Sequence, residues 1–394
     1  MTNPILLTLC ALLLIAYVFD LTARKTRVPS VILLMLLGWL AHRVADAFGV
    51  AIPNLAELLP LFGTVGLILI VLEGALELEV TREKFPLIIK AFVSAAASLL
   101  ALSIALGAVF HLVLNCGWQA GIANAIPLAV ISSAVAIPSA AFFPQRHREF
   151  VVYESSISDI LGVLAFNFIT LNDEFSYGSV FEFGAELLLM IAVSFVASLG
   201  LAVLLGKINH HVKYLPITIA VVLVYAVAKQ FHLPSLLFIL LFGLFLGNLE
   251  RIRGVSSLRI AALDVLDAEI ERFKEIAAEL TFLIRALFFL LFGFVIESAE
   301  LVDATVLAWS GGIVVGIYAL RAIILATMRL PQTPLLAIAP RGLITILLFY
   351  GIPEVLRINV VHRSLIIQVI VLCAIVMMVG TMNKKSSQIG TVID

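Results

Sequence analysis

The chemistry of this chain is concentrated in one stretch, Tyr153-Glu154-Ser155-Ser156-Ile157-Ser158-Asp159-Ile160-Leu161-Gly162. On a helix, Glu154, Ser155, Ser158 and Asp159 fall at i, i+1, i+4 and i+5 and make one polar stripe. The surrounding chain, from about 150 to 171, is apolar for long enough to cross a bilayer. A carboxylate near a bilayer centre is costly unless it is protonated, paired or hydrated, and this stretch carries two. The use that fits such a stripe is to bind a small cation or a proton, one at a time. Asp159 is the candidate ion carrier. Glu154 either ligates the cation or holds a buried arginine in place. Ser155 and Ser158 offer neutral oxygens that suit a hard monovalent ion, and Gly162 removes a side chain beside Asp159 and permits close helix approach.

The elements that position this stripe follow from composition. The chain has 394 residues, 62% hydrophobic and 13% charged, with a mean hydropathy of +1.15. A soluble globular protein does not look like this; the expected class is an all-α polytopic membrane protein. Apolar runs bounded by charge or proline give about thirteen spans, near 4–21, 28–48, 56–78, 85–113, 119–143, 150–171, 180–206, 214–231, 234–249, 280–297, 304–328, 332–353 and 363–382. The first is read as a retained span, because no basic n-region or small-residue cleavage site precedes it. Between spans nine and ten, residues 257–279 have amphipathic periodicity and suggest a helix on the cytoplasmic membrane surface. Cys10, Cys116 and Cys373 are scattered through apolar segments and read as buried small residues.

With thirteen spans, most Lys and Arg, from Arg24, Lys25 and Arg27 through Arg146 and Arg148 to Lys384 and Lys385, fall on one side. The positive-inside rule then puts the N-terminus outside and the C-terminus in the cytoplasm. An odd number of spans also permits two inverted six-helix repeats, 1–171 and 214–382, on either side of span seven and its loops at 172–213, with a short tail at 383–394. The fifth span contains Ala136-Ile137-Pro138 and the twelfth Pro340-Arg341-Gly342. Paired breakers at corresponding places in two halves predict crossed broken helices around a midplane site.

Further charges fall inside spans. Arg341 sits at the second break and needs a counter-charge, for which Glu154 is the favoured partner. Arg285 would stabilise the core or compensate Asp159 when the site is empty. Glu73 would line the same funnel, and Arg321, nearer the cytoplasmic end, would snorkel. His210 and His211 read as a solvated loop. The chain has no G-x-x-x-x-G-K-[ST] and no H-E-x-x-H, and no basic surface interleaved with aromatics, so an ATP motor, the common intramembrane zinc protease and a nucleic-acid partner are not expected.

These residues resemble the monovalent cation–proton antiporters, nearest the NhaP-like sodium/proton exchanger branch, over nearly the whole chain. Leu72-Glu73-Gly74-Ala75-Leu76 is similar to that family's F-E-G-G-L segment, and Glu154-Ser155-Ser156-Ile157-Ser158-Asp159 to its E-S-x-x-N-D motif, with Ser158 where Asn is usual. Val28-Pro29-Ser30 to Gly38, Arg285 with Phe288, Phe289 and Gly293, and Pro340-Arg341-Gly342-Leu343 resemble three further segments. The family's Thr-Asp pair is missing from the break of the fifth span, where Ser132-Ser133-Ala134-Val135-Ala136-Ile137-Pro138 stands instead. The resemblance implies a thirteen-helix fold with a dimerisation domain and a mobile core domain. In it Asp159, Ser155, Glu154 and carbonyls of the fifth span would ligate the cation, Arg341 would pair with Glu154, and the protein would be a homodimer.

The expected function is therefore secondary antiport, not enzymatic catalysis. A monovalent cation, sodium first and lithium or potassium as alternatives, would exchange one-for-one with H+ across the cell (inner) membrane, with Asp159 as the shared site and no cofactor. A potassium–proton antiporter, a channel-like cation permease and a non-transporting membrane sensor are the rival readings.

Overall fold

The computed structural model describes residues 2–26, 28–49, 55–141, 143–172, 177–207, 214–231, 233, 235–249, 266–301 and 303–382. Among them every long element is helical. In chain order these are α1 (Thr2–Thr26), α2 (Ser30–Ala47), α3 (Leu59–Glu77), α4 (Phe85–Leu114), α5 (Trp118–Ala129), α6 (Ser133–Ser139), α7 (Gln145–Leu171) and α8 (Tyr177–Lys207). They continue as α9 (Tyr214–Gln230), α10 (Ser235–Gly247), α11 (Leu266–Val295), α12 (Ala304–Thr327), α13 (Gln332–Leu335), α14 (Leu343–Tyr350) and α15 (Arg363–Met382). Nine described segments are long and apolar enough to cross a membrane, counting α5 and α6 as one; 7–22, 214–230 and 235–247 are shorter apolar helices. The stretch predicted as the twelfth span is the interrupted pair α13–α14.

The predicted surface helix is not separate from the tenth span. From Leu266 onward the chain is one helix, α11, that runs straight into the apolar stretch. Ala277, Ala278, Glu279 and Leu280 join the two parts, and all are strong helix formers with no breaker among them. Residues 257–265 of the predicted link lie outside the described residues, as do His210 and His211.

The chain divides into two compact units, Met1–Thr64 with Ile89–Gly162 and Leu283–Asp394, and Val65–Ile88 with Val163–Phe282. In the second unit, α10 packs closely on α3: a Cβ on Gly247 would lie 2.5 Å from Leu76 O. Asn248 ties the end of α10 to the chain after α3, donating to Leu78 O at 2.8 Å and accepting from Val80 N at 2.7 Å. Glu73 belongs to this unit, half-buried on α3.

The first unit holds both interrupted spans. Pro127 sits inside α5, which ends two residues later at Ala129. Val130 and Ser132 are extended, and α6 begins at Ser133. The second interruption runs between Leu335 and Leu343 and contains Pro340 and Gly342. The first break is thus upstream of the predicted Ala136, Ile137 and Pro138, which lie within α6. The reason is where freed backbone groups find partners. Pro138 forfeits one helical bond, and α6 ends one residue later. At 131–133 three N–H groups leave the helical ladder and each meets an oxygen from another part of the fold, as required in a bilayer.

Candidate ion-binding site

The site forms where the two interruptions meet α7. Ser132 N donates to Pro340 O at 3.0 Å, which ties one break to the other. Ile131 N donates to Ser158 Oγ at 2.9 Å. Ser133 N, an orphan donor at the start of α6, donates to Asp159 Oδ2 at 3.2 Å, and the Ser133 hydroxyl bonds the same oxygen. α7 approaches closely because of Gly162: a Cβ there would lie 2.2 Å from Val130 Cγ2.

Arg341 serves the opposite helix end. Its Nε donates to Leu128 O at 2.6 Å and its Nη1 to Ala339 O at 3.0 Å. Leu128 is in the last turn of α5, where carbonyls lack helical partners and a cation is favoured. One half-helix therefore presents a carbonyl to a guanidinium, and the next presents an N–H to a carboxylate.

Glu154 pairs with Arg321, not with Arg341 as the sequence suggested. Arg321 Nη1 donates to Glu154 Oε1 at 3.1 Å and Nη2 to Oε2 at 2.9 Å. Ser94 of α4 donates to Oε1 at 2.6 Å, and Arg321 Nε is held by Leu335 O at 2.8 Å. Arg321 does not snorkel; it is 3% exposed. A planar fork held on both sides by buried acceptors suits arginine and not a point charge. Sequence periodicity carried the signal: the buried face of α12 is Val306, Ser310, Ile313, Val314, Ile317, Arg321, Ile324 and Leu325. In an apolar span that face has no hydrophobic contrast with the lipid side, so the position of Arg321 on it is easily passed over. Ser94 gave no signal, since a single serine in a spanning helix is ordinary.

The remaining expected site residues divide. Ser158 braces the first break through Ile131 N. The Ser155 hydroxyl bonds back to Val151 O at 2.7 Å, one turn earlier on α7. Arg285 lies on α11 and reaches Asp20 of α1 at 3.9 Å, away from the breaks. Glu73 is in the second unit. Among the described residues, two buried oxygens at the break have no hydrogen-bond partner, Asp159 Oδ1 and Ser132 Oγ. No group of three or more His, Cys, Asp or Glu able to hold a resident metal occurs among the described residues.

A buried carboxylate with one oxygen unpaired among the described residues, where two helix interruptions meet, can hold a small positive ion. The sequence profile of the family described as "Sodium/hydrogen exchanger, transmembrane" matches residues 10–382. The chain belongs to that family. It is accordingly an integral multi-pass membrane protein and a secondary transporter, a cation/proton antiporter and not an enzyme. The exchanger's fold is similar to that of a solved sodium proton antiporter, MjNhaP1 from Methanocaldococcus jannaschii, at pH 8, with a TM-score of 0.71 and 18% identity over 96% of this chain and 100% of that one. An electron-microscopy structure of the same antiporter gives 0.68 at 17% identity, over 96% of this chain and 95% of the other. No curated protein matches the exchanger in sequence.

Proposed function

We propose that this exchanger moves sodium against protons, one for one and without net charge, with Asp159 as the site both ions share. The observation that carries this reading is Asp159 Oδ1, a carboxylate oxygen without a partner among the described residues, on a residue 1% exposed. The charge of Glu154 is cancelled by the fork of Arg321. Asp159 is therefore the carboxylate whose charge changes with its cargo. It takes one proton or one monovalent cation, never both, and either ion neutralises it. The neutralised site then passes between the two faces of the membrane, while the bare charge is held back by the cost of moving it through a low-dielectric region. Exchange follows from this competition without further coupling machinery.

Sodium is favoured over potassium and lithium by the family description. Lys and Arg placement supports an N-terminus outside and a C-terminus in the cytoplasm of the cell membrane, and the NhaP-like resemblance supports a homodimer. The test is proton movement in liposomes that hold the purified protein and a pH-sensitive dye. An imposed sodium gradient should drive protons the other way, at a rate that an imposed membrane potential does not change. A rate that follows the potential overturns electroneutrality. Proton movement with potassium but not sodium favours the rival potassium–proton exchanger.

A further inference from the structure

The two oxygens of Asp159 are not equivalent. Oδ2 accepts both donors of one residue, the N–H of Ser133 at 3.2 Å and its hydroxyl, while Oδ1 has no partner among the described residues. Ser133 is 2% exposed and Asp159 1%, so no bulk water competes for either oxygen. Close packing surrounds the neighbours of the pair. Val130 presses on Gly162 next to Asp159, and Gly342 lies where a Cβ would come within 2.9 Å of Ser132 Oγ. The charged groups nearest in sequence and fold are committed elsewhere, Glu154 to Arg321 and Arg341 to the carbonyls of Leu128 and Ala339, while His147, buried on the same helix, has neither ring nitrogen bonded among the described residues.

We propose that Ser133 is a specificity-determining positioning residue, which occupies Oδ2 of Asp159 and so restricts this carboxylate to a single-oxygen contact with the transported cation. The inference rests on Asp159 being the ion site. Small cations are satisfied by few oxygens at short distance, whereas larger ones take more oxygens and readily accept both from one carboxylate. A carboxylate held at one oxygen therefore disfavours the larger ions. Removing the hydroxyl frees Oδ2 from its side-chain donor and opens room beside it, and both changes favour a larger cation. Ser133 acts here through Asp159.

The experiment measures apparent KM for lithium, sodium and potassium in liposomes at one pH, for the wild type, Ser133→Ala and Ser133→Thr. A hydrogen bond to a charged group is strong enough to move a binding ratio by about tenfold. Ser133→Ala should shift the ratio of potassium KM to sodium KM by about that factor in favour of potassium, with little change in maximal rate, and Ser133→Thr should restore the wild-type ratio. Ser133→Cys, a weaker donor, should shift the ratio the same way by less, and it stands in if the alanine variant does not fold. A common factor on all three KM values, or a fall in maximal rate alone, overturns the proposal and leaves Ser133 a structural residue. Asp159→Asn in the same assay separates the two readings. Loss of exchange with every cation keeps the site assignment, while surviving exchange removes that assignment and the role of Ser133 with it.

Discussion

Glu154 and Asp159 stand five residues apart on one helix, each 1% exposed, and their surroundings are opposite. Glu154 receives a two-pronged arginine and a serine hydroxyl, so both its oxygens are occupied. Among the described residues, Asp159 receives only Ser133, at one oxygen, and has no arginine or lysine as a hydrogen-bond partner. A buried carboxylate is costly in either case. Where the cost is offset by a permanent partner, the group belongs to the scaffold. Where one oxygen remains unpaired, the offset can come from something that arrives, which in the function proposed above is the cargo. On that proposal the difference separates structure from transport within two turns of helix.

The same chemical change at the two positions should therefore have unlike effects on stability. Glu154→Gln leaves Arg321 buried beside an amide. Breaking a buried pair in this way costs about 3–5 kcal/mol and should appear as a marked fall in melting temperature in detergent. Glu154→Gln combined with Arg321→Met, which removes both charges, should regain part of the loss; a double variant no more stable than the single one would show that the pair is not the scaffold element argued above.

Gly162→Val tests the approach of α7 to the break. A Cβ already falls 2.2 Å from Val130 Cγ2, so overpacking should cost about 1–3 kcal/mol by the same melting measurement, and sodium-driven proton flux should fall with it. Ser158→Ala leaves the buried N–H of Ile131 without its acceptor, at a cost of about 1–2 kcal/mol. Unchanged melting of Ser158→Ala would mean that the break does not depend on that brace. The smallest shift is expected for Asp159→Asn. It removes a buried charge without orphaning a counter-ion, so the melting temperature should hold or rise, as is common when a functional group is replaced. A fall comparable to that of Glu154→Gln would erase the contrast between the two carboxylates.

Much of this was legible in the residues. The polar stripe of α7 was readable because four polar side chains at helical spacing have no bland explanation inside an apolar run. The second break was readable from Pro340, since a proline and the residue before it resist helix. The first was placed too far along, at Pro138, because a proline marks one lost bond, whereas the actual break depends on partners from distant chain: Ser158, Pro340 and Asp159. The partner of Glu154 failed for a similar reason. Arg341 was nearer a visible irregularity, but it donates to the helix-end carbonyl of Leu128 and to Ala339 O in its own interruption, and Arg321 reaches Glu154 from the buried face of an unbroken helix. Local signals locate irregular backbone and buried charge; they do not say which charge meets which.

The central claim is that Asp159 carries both ions. Its most direct test is sodium-driven proton movement in everted vesicles for Asp159→Asn against the wild type, with the two proteins first shown to melt at comparable temperatures. The account predicts that the proton signal disappears in a variant as well folded as the parent. Sodium-driven proton movement that persists in Asp159→Asn would contradict it.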